Sequence, residues 1–170
     1  MLEDFEAAVA QHKDMVYSFA YYSLGNRQEA EDVTQDVLLK LWEHRDRLSA
    51  DGAAPWLNRV TRNTSYDLLR RKRTKNRFVM NDGEEAMVLF AEETAPGPHR
   101  LAEQSDLRFQ VQKALQSLPE PYRSAMVLRE IQELSYAQVG EVLEIPVNTA
   151  KTHVHRGRKM LRDSLRRARS

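Results

Sequence analysis

The stretch LSYAQVGEVLEIPVNTAKTHVHRGRKMLRDSL, residues 134–165, decides the fold that we predict. Ser135, followed three residues later by a glutamine, has the spacing of a capping box at the start of a short helix. Pro146 cannot continue that helix, because it has no backbone N–H and clashes with the preceding turn. Asn148 or Thr149 can then cap a second helix. The pattern predicts two helices joined by a tight turn.

The second predicted helix is apolar on one face and basic elsewhere. Its apolar residues recur every three to four positions, at Ala150, Val154, Gly157, Leu161 and Leu165. Its other faces carry Lys151, Thr152, His153, His155, Arg156, Arg158, Lys159 and Arg162. A basic second helix after a short turn is the geometry that places a helix in the DNA major groove. The alternative is a surface helical hairpin whose basic face is only solvated.

The charges of the chain fall into blocks. From residue 146 to the end there are eight Lys or Arg and one acid, although the formal net charge of all 170 residues is only +1. Residues 58–77 hold another eight Lys or Arg and one acid, and residues 81–106 hold seven acids and one Arg. Two basic blocks separated by an acidic one predict two contacts with one polyanion.

The composition is typical of a soluble, helix-rich protein, with 41% hydrophobic and 30% charged residues. There is no cysteine, which excludes disulfides and zinc–thiolate sites and is compatible with a cytoplasmic location. No apolar run is long enough for a membrane span, and the acidic N-terminus does not resemble a signal peptide. His153 and His155 would point about 200° apart on a helix. We therefore expect neither a metal site nor a cofactor.

An all-α fold of two small domains is predicted. The N-terminal domain, residues 1–73, has three helices, with Gly25 ending the first and Asn26 capping the second. Their predicted bounds are residues 5–24, about 27–48 and 56–73, with a loop at residues 50–55. An acidic spacer containing Pro-Gly-Pro predicts a flexible linker at residues 74–100. The C-terminal domain, residues 101–170, adds helices at 101–117 and 122–131 to the helix–turn–helix pair, which makes four.

Two further helical faces are candidates for binding. The second helix has a wide apolar stripe that includes Leu38, Leu39 and Trp42, and this stripe is either all core or partly a partner-binding surface. The third helix combines Trp56 with Arg59, Arg62, Asn63, Arg70 and Arg71. Basic residues interleaved with an aromatic suit phosphate contacts and the capture of an unstacked base. The alternatives are a core role for the tryptophan and a solvated basic end of the helix.

Four blocks in order carry a resemblance that covers nearly the whole chain outside residues 74–105. They are EAEDVTQDVLLKLWEH, PWLNRVTRNTSYDLLRRKR, LQSLPEPYRSAMVLREIQELSYAQVGEVLEIP and NTAKTHVHRGRKML. Together they resemble bacterial sigma-70 factors, specifically the short extracytoplasmic-function (ECF) group. The resemblance implies a protein that binds core RNA polymerase, directs it to promoters and helps to open the DNA.

The same resemblance implies roles for individual residues. Contact with the β′ clamp helices of polymerase is implied for Asp32, Gln35, Asp36, Leu38 and Trp42. Recognition and melting of the minus-ten promoter region is implied for Trp56, Arg59, Arg62, Asn63, Arg70 and Arg71. Contact with the minus-thirty-five element is implied for Thr149, Lys151, Thr152, His153, His155, Arg156 and Lys159.

The implied partners are core RNA polymerase, through its β′ and β subunits, promoter DNA and an anti-sigma factor. Direct membrane insertion is not expected. The family commonly has Gly followed by Thr-Val where this chain has Asn148-Thr149-Ala150, and Ser-Arg where it has Thr152-His153. These departures bear on the promoter sequence rather than on the fold. Because of the linker, we expect loosely oriented modules and poor DNA binding by the isolated chain.

Three other classes of protein are less consistent with the sequence. A helix–turn–helix regulator of the response-regulator output type would need an upstream receiver or sensory domain, and the first 73 residues show no strand–helix alternation. A helical interaction protein leaves the two basic blocks unexplained. An enzyme is the least expected class, because there is no Gly-rich phosphate loop, nucleophile elbow or HExxH motif.

Overall fold

The computed structural model describes residues 4–80 and 102–169, and every regular element in these ranges is helical, as predicted. The helices are α1 Phe5–Leu24, α2 Arg27–His44, α3 Ala50–Met80, α4 Ala102–Ser117, α5 Tyr122–Met126 with a π-helical turn Val127–Ile131, α6 Tyr136–Leu143 and α7 Val147–Arg169. Residues 81–100 of the predicted linker lie outside the described residues. None of the described helices is long and apolar enough to cross a membrane.

The N-terminal module consists of α1, α2 and α3 around one apolar core. Its fully buried side chains include Val16, Ala20, Ala30, Val37, Leu41 and Leu57. Gly25 has a positive φ of 74° and ends α1 by donating its N–H to Tyr21 O at 2.8 Å. Asn26 caps α2, since its Oδ1 accepts from Glu29 N at 3.0 Å. Both of these predicted helix boundaries are confirmed.

The predicted bounds of α2 and α3 were partly wrong. Helix α2 ends at His44 rather than near residue 48, because the Arg45 side chain donates to Trp42 O and closes the last turn. Residues 50–55 are helical rather than a loop, since Ser49 Oγ accepts from Gly52 N at 3.0 Å and Ala53 is fully buried. Helix α3 also continues to Met80. The first residues of the predicted linker are therefore helical, because no Gly or Pro interrupts them.

The C-terminal module consists of α4 to α7, as predicted. The capping box at the start of α6 is complete, with Gln138 N donating to Ser135 Oγ at 3.1 Å and Ser135 N donating to Gln138 Oε1 at 2.9 Å. Neither Asn148 nor Thr149 caps α7. The helix already begins at Val147, and Pro146 O accepts its first bond from Ala150 N at 3.0 Å.

The two modules pack against each other, which differs from the loose orientation that the linker suggested. Phe19 of α1 is 1% exposed and belongs to the apolar cluster of the C-terminal module. Gln132 Nε2 donates to Met15 O at 2.8 Å, and Tyr21 Oη donates to Gln112 Oε1 at 3.2 Å. Helix α1 therefore packs against both the N-terminal core and the C-terminal module.

Candidate nucleic-acid and partner interfaces

Helix α7 presents most of its predicted DNA-contact residues to solvent. Five of the seven are exposed: Lys151, Thr152, His155, Arg156 and Lys159. Thr149 and His153 are only half-buried. The His153 ring lies edge-on to Tyr122 at a centroid distance of 5.4 Å, so part of this side chain packs inside the module. The exposed residues form a cationic surface that is free to meet a polyanion.

The inner face of α7 is held close to α5. Ala150, Val154 and Gly157 are buried, as predicted. A Cβ on Gly157 would lie 2.5 Å from Met126 Cγ and 3.4 Å from Tyr122 O, which shows why the smallest residue stands here. Glycine at this position lets α7 lie directly on its support.

A ring and an acid contact basic side chains of α7 and of the π-helical turn. The Tyr136 ring lies 4.6 Å from the Arg129 guanidinium carbon and 5.9 Å from Lys151 Nζ. Arg158 donates to Glu130, and this hydrogen bond raises the pKa of the arginine. The role of Tyr136 could not be predicted from the sequence, because its partners come from two other elements, the π-helical turn and α7.

The predicted minus-ten residues of α3 differ in exposure. Asn63, Arg70 and Arg71 are exposed, whereas Trp56, Arg59 and Arg62 are half-buried. Arg62 Nη1 donates to Asn63 Oδ1 at 3.3 Å, so these two side chains share one surface. The Trp56 ring lies against the N-terminal core and 5.3 Å from the His44 ring, which agrees in part with the alternative of a core role.

Arg59 contacts the C-terminal module rather than open solvent alone. Its Nη2 donates to Glu141 O at 3.4 Å, and its Nε lies 3.8 Å from Glu144 Oε1. The neighbouring Asn58 is 2% exposed, and its buried Oδ1 has no hydrogen-bond partner. A cavity of about 80 Å³ lies between α3 and α6 beside this residue. This contact could not be predicted from the sequence, because residues 59 and 141 are far apart in the chain.

The outer face of α2 combines acids with exposed apolar groups. Asp32, Gln35 and Asp36 are exposed, and Leu38 is half-buried. Trp42 is 47% exposed, with Phe5 packed edge-on at 5.0 Å and the Arg45 guanidinium 3.7 Å from the ring centroid. The stripe is therefore not all core.

Leu39 extends this apolar surface, since it is 62% exposed. It was not among the predicted contact residues. The sequence indicated that part of this stripe would be exposed. Leu38-Leu39 and Leu41-Trp42 are apolar residues at consecutive positions of a helix, and such residues cannot all face one core.

No group of three or more His, Asp or Glu side chains in residues 4–80 and 102–169 is arranged to hold a metal ion. In particular, His153 packs on Tyr122, whereas His155 is exposed.

Two family models match the chain in the order of its two modules. The model for sigma-70 region 2 matches residues 8–75, and the model for sigma-70 region 4 matches residues 108–161. The first match covers most of α1, all of α2 and most of α3, and the second covers most of α4, all of α5 and α6 and most of α7.

Curated relatives and solved structures agree with these matches. The chain is 34% identical over 161 residues to the ECF RNA polymerase sigma factor SigW of Bacillus subtilis, covering 91% of this chain and 85% of that protein. It is 34% identical over 165 residues to the ECF sigma factor SigE of Mycolicibacterium smegmatis, covering 96% of this chain and 62% of that protein.

The fold resembles that of the sigma factor RpoE in its complex with the anti-sigma factor NepR from Bartonella quintana, with a TM-score of 0.69, 23% identity and coverage of 96% of this chain and 98% of the other. It also resembles CnrH in complex with the cytosolic domain of CnrY, with a TM-score of 0.67, 24% identity and coverage of 98% and 89%. The two family models and the similarity to SigW show that the chain belongs to the sigma-70 family of RNA polymerase sigma factors, in its extracytoplasmic-function group.

Proposed function

We propose that this sigma factor binds core RNA polymerase, directs it to specific promoters and assists DNA opening at the start of transcription. One observation carries the proposal. A single chain presents both an exposed basic recognition helix and, on its other module, an exposed acidic and apolar helix face. A regulator that only binds DNA needs the first surface and not the second.

The α2 face is the proposed polymerase contact. Trp42 and Leu39 supply apolar area, and a large exposed aromatic beside a cation is the type of side chain that dominates binding energy in protein interfaces. Asp32, Gln35 and Asp36 would add polar specificity around it. The resemblance to the family points to the β′ clamp helices as the surface that this face meets, and the β subunit would contact the other module.

The C-terminal module is proposed to read the minus-thirty-five element through α7. Lys151, Thr152, His155 and Arg156 would reach base edges in the major groove, while Thr149, His153 and Lys159 would contact phosphates. Exposure of the first four residues supports this assignment. The half-buried His153 would contribute only its outer edge.

The N-terminal module is proposed to recognise and melt the minus-ten region through α3. Asn63 would line the pocket for an extruded base, and Arg62, hydrogen-bonded to it, would hold the adjoining backbone. Arg59, Arg70 and Arg71 would bind phosphates, and Trp56 would support the pocket from its half-buried position.

We propose a division of labour at the bounds read from the sequence, with polymerase and minus-ten contacts in residues 1–73 and minus-thirty-five contacts in residues 101–170. Residues 74–100 would join them, although their first turns belong to α3. The role is non-enzymatic, and its place is the bacterial cytoplasm, where transcription occurs. Relatives of known fold are found with anti-sigma factors, and we propose such a partner here.

The test is run-off transcription with core enzyme across a genomic library, together with co-elution from a sizing column. The wild-type chain should co-elute with core enzyme and give promoter-specific transcripts. The pair Gln35→Ala and Asp36→Ala should weaken both. A matched control is the pair Gln11→Ala and Asp14→Ala, exposed on α1.

Two results would contradict the proposal. Independent migration of the wild-type chain at micromolar concentration would favour the response-regulator type of DNA-binding protein. Equal binding by the two pairs of variants would move the polymerase contact away from α2.

A further inference from the structure

Tyr66 is an aromatic side chain on the outer face of α3. It is 41% exposed, whereas Val60, Leu68 and Leu69 of the same helix pack against the N-terminal core. Single exposed apolar side chains are common on protein surfaces, so exposure alone assigns no function to this ring. The residues around it on the helix are more informative.

Four arginines share the side of α3 on which Tyr66 lies. At about 100° per residue, all four fall within about 40° of it around the helix axis. Two precede it and two follow it: Arg59, Arg62, Arg70 and Arg73. Asn63 lies one turn before Tyr66 and about 60° away around the axis. The fully buried Leu57 and Thr61 lie on the far side of the helix, so Tyr66 belongs to its cationic face and not to the core.

An aromatic ring with cations on both sides is an arrangement that binds single-stranded DNA. The cations contact the phosphates and a base stacks on the ring. In a duplex the bases are already stacked on one another, so the ring can receive a base only from strands that have separated. The side chain of Tyr66 is therefore suited to melted DNA, whereas the arginines suit any DNA backbone.

We propose that Tyr66 stacks on an unpaired base of the minus-ten region, beside the base that Asn63 receives. The inference rests on the proposed role of α3 in minus-ten recognition. Three residues of a helix advance about 4.5 Å along its axis, and successive nucleotides of one B-DNA strand lie about 3.4 Å apart. Adjoining nucleotides can therefore occupy Asn63 and Tyr66 at the same time.

Stacking on Tyr66 favours the open promoter over the closed one. A contact shifts an equilibrium only by its different affinity for the two states, and this contact exists in only one of them. The arginines differ, because they can bind phosphates before and after the strands separate and their contribution falls as salt rises. Loss of the ring and loss of a cation should therefore have different effects.

The test uses the polymerase complex and the strongest promoter that the run-off library returns. Anisotropy measures the binding of two fluorescein-labelled probes, the non-template strand of its minus-ten region and a duplex of that region whose strands are cross-linked. Tyr66→Ala is compared with Tyr66→Phe, the matched control that keeps the ring, and with Asn63→Ala and Arg70→Ala. A second series of single strands carries an abasic site at one position at a time.

Tyr66→Ala should bind the single strand about 5- to 100-fold more weakly, the range expected for one base stacked on an aromatic ring. It should bind the cross-linked duplex as the wild type does, and Tyr66→Phe should match the wild type on both probes. Arg70→Ala should lower the salt dependence of binding, whereas Tyr66→Ala should leave it unchanged. One abasic position, adjoining the position that is coupled to Asn63→Ala, should weaken the wild type but not Tyr66→Ala.

Equal losses on the single strand and the duplex, a loss that Tyr66→Phe shares, or the absence of an abasic position coupled to Tyr66 would overturn the stacking. If Tyr66→Ala binds as the wild type does while Asn63→Ala and Arg70→Ala lose affinity, the stacking is refuted and the minus-ten role of α3 stands. If none of the three alanine variants loses affinity, or the library returns no promoter, the proposed function fails together with the stacking.

Discussion

At the scale of single residues, Arg123 is a buried cation that donates hydrogen bonds to several backbone carbonyls. It is 5% exposed, and it donates to Leu115 O at 3.2 Å, to Leu118 O at 3.0 Å and to Gln116 O at 2.6 Å. Leu115 and Gln116 lie in the last turn of α4 and Leu118 directly follows it, a region where a helix has too few N–H donors for its carbonyls. Burial lowers the pKa of the guanidinium, but its carbonyl partners stabilise the charge.

Replacing Arg123 by alanine should therefore destabilise the protein by about 3 kcal/mol, because several buried carbonyls would lose their donor at once. Urea unfolding followed by circular dichroism measures the change. Arg158→Ala is the control, since it removes an exposed pair with Glu130 and should cost about 1 kcal/mol or less. Equal losses in the two variants would show that the α4 contacts contribute no more than a surface pair.

His12 predicts a dependence of stability on pH. It is 9% exposed in α1, and desolvation by burial lowers its pKa from the ordinary value of 6.5. The unfolded chain therefore binds a proton more readily, so stability contributed by the neutral imidazole is lost as pH falls below about 6.5. His12→Gln should flatten the change in the urea midpoint between pH 7.5 and pH 5.5. The exposed His155→Gln is measured beside it as the control, and an equal change of slope in both variants would contradict the prediction.

At the scale of elements, the packing of α7 on α5 fixes the position of α7. Gly157→Ala should cost about 1–3 kcal/mol, because the new Cβ would lie 2.5 Å from the buried Met126. Thermal unfolding measures the loss. Gly52→Ala is the control, since its Cβ would meet only Ser49 Oγ at 3.0 Å, and it should lose far less.

The outer face of the same helix gives a prediction about specificity. Arg156→Ala should cost about 1–3 kcal/mol on the cognate upstream element if the side chain reads a base edge, and less on unrelated DNA. Titration of the polymerase complex on both sequences measures the difference. The exposed Arg162→Ala should weaken both equally. A uniform loss for Arg156→Ala would make it a phosphate contact.

The existence of the helices and several of their ends could be predicted from interactions between residues that are close in the sequence. Gly25, Asn26 and Ser135 act through neighbours three or four residues away, so the sequence alone indicated their roles. The start of α3 was missed, because Pro55 suggested a beginning where Ser49 had already begun the helix. A cap and a proline can both initiate a helix, and tertiary burial of Ala53 decides between them.

At the scale of the whole molecule, Phe19 couples the two modules. Phe19→Ala should cost about 3–5 kcal/mol and should turn one cooperative heat-capacity transition into two, because the shared core would lose its largest link. Differential scanning calorimetry measures both effects. Phe109→Ala, which is 45% exposed on α4, should leave a single transition at nearly the same temperature. A single transition in both variants would mean that the modules are coupled elsewhere.

The contacts between modules could not be predicted from the sequence. Met15 meets Gln132, Tyr21 meets Gln112 and Arg59 meets Glu141, and no periodicity or motif links residues so far apart in the chain. The exposure of the candidate binding surfaces could be predicted only in part. Exposure of Lys151 and Arg156 follows from the period of one helix, whereas the partial covering of Arg59 depends on a helix from the other module.

The cavity of about 80 Å³ beside Asn58 leaves the interface between the modules incompletely packed. The buried Oδ1 of Asn58, which has no hydrogen-bond partner, would become hydrated if the modules separated. Separation would therefore increase the amount of water bound at the surfaces of both modules. Solutes that are excluded from protein surfaces oppose such an uptake. We therefore expect such excluded solutes to favour the packed arrangement of the two modules.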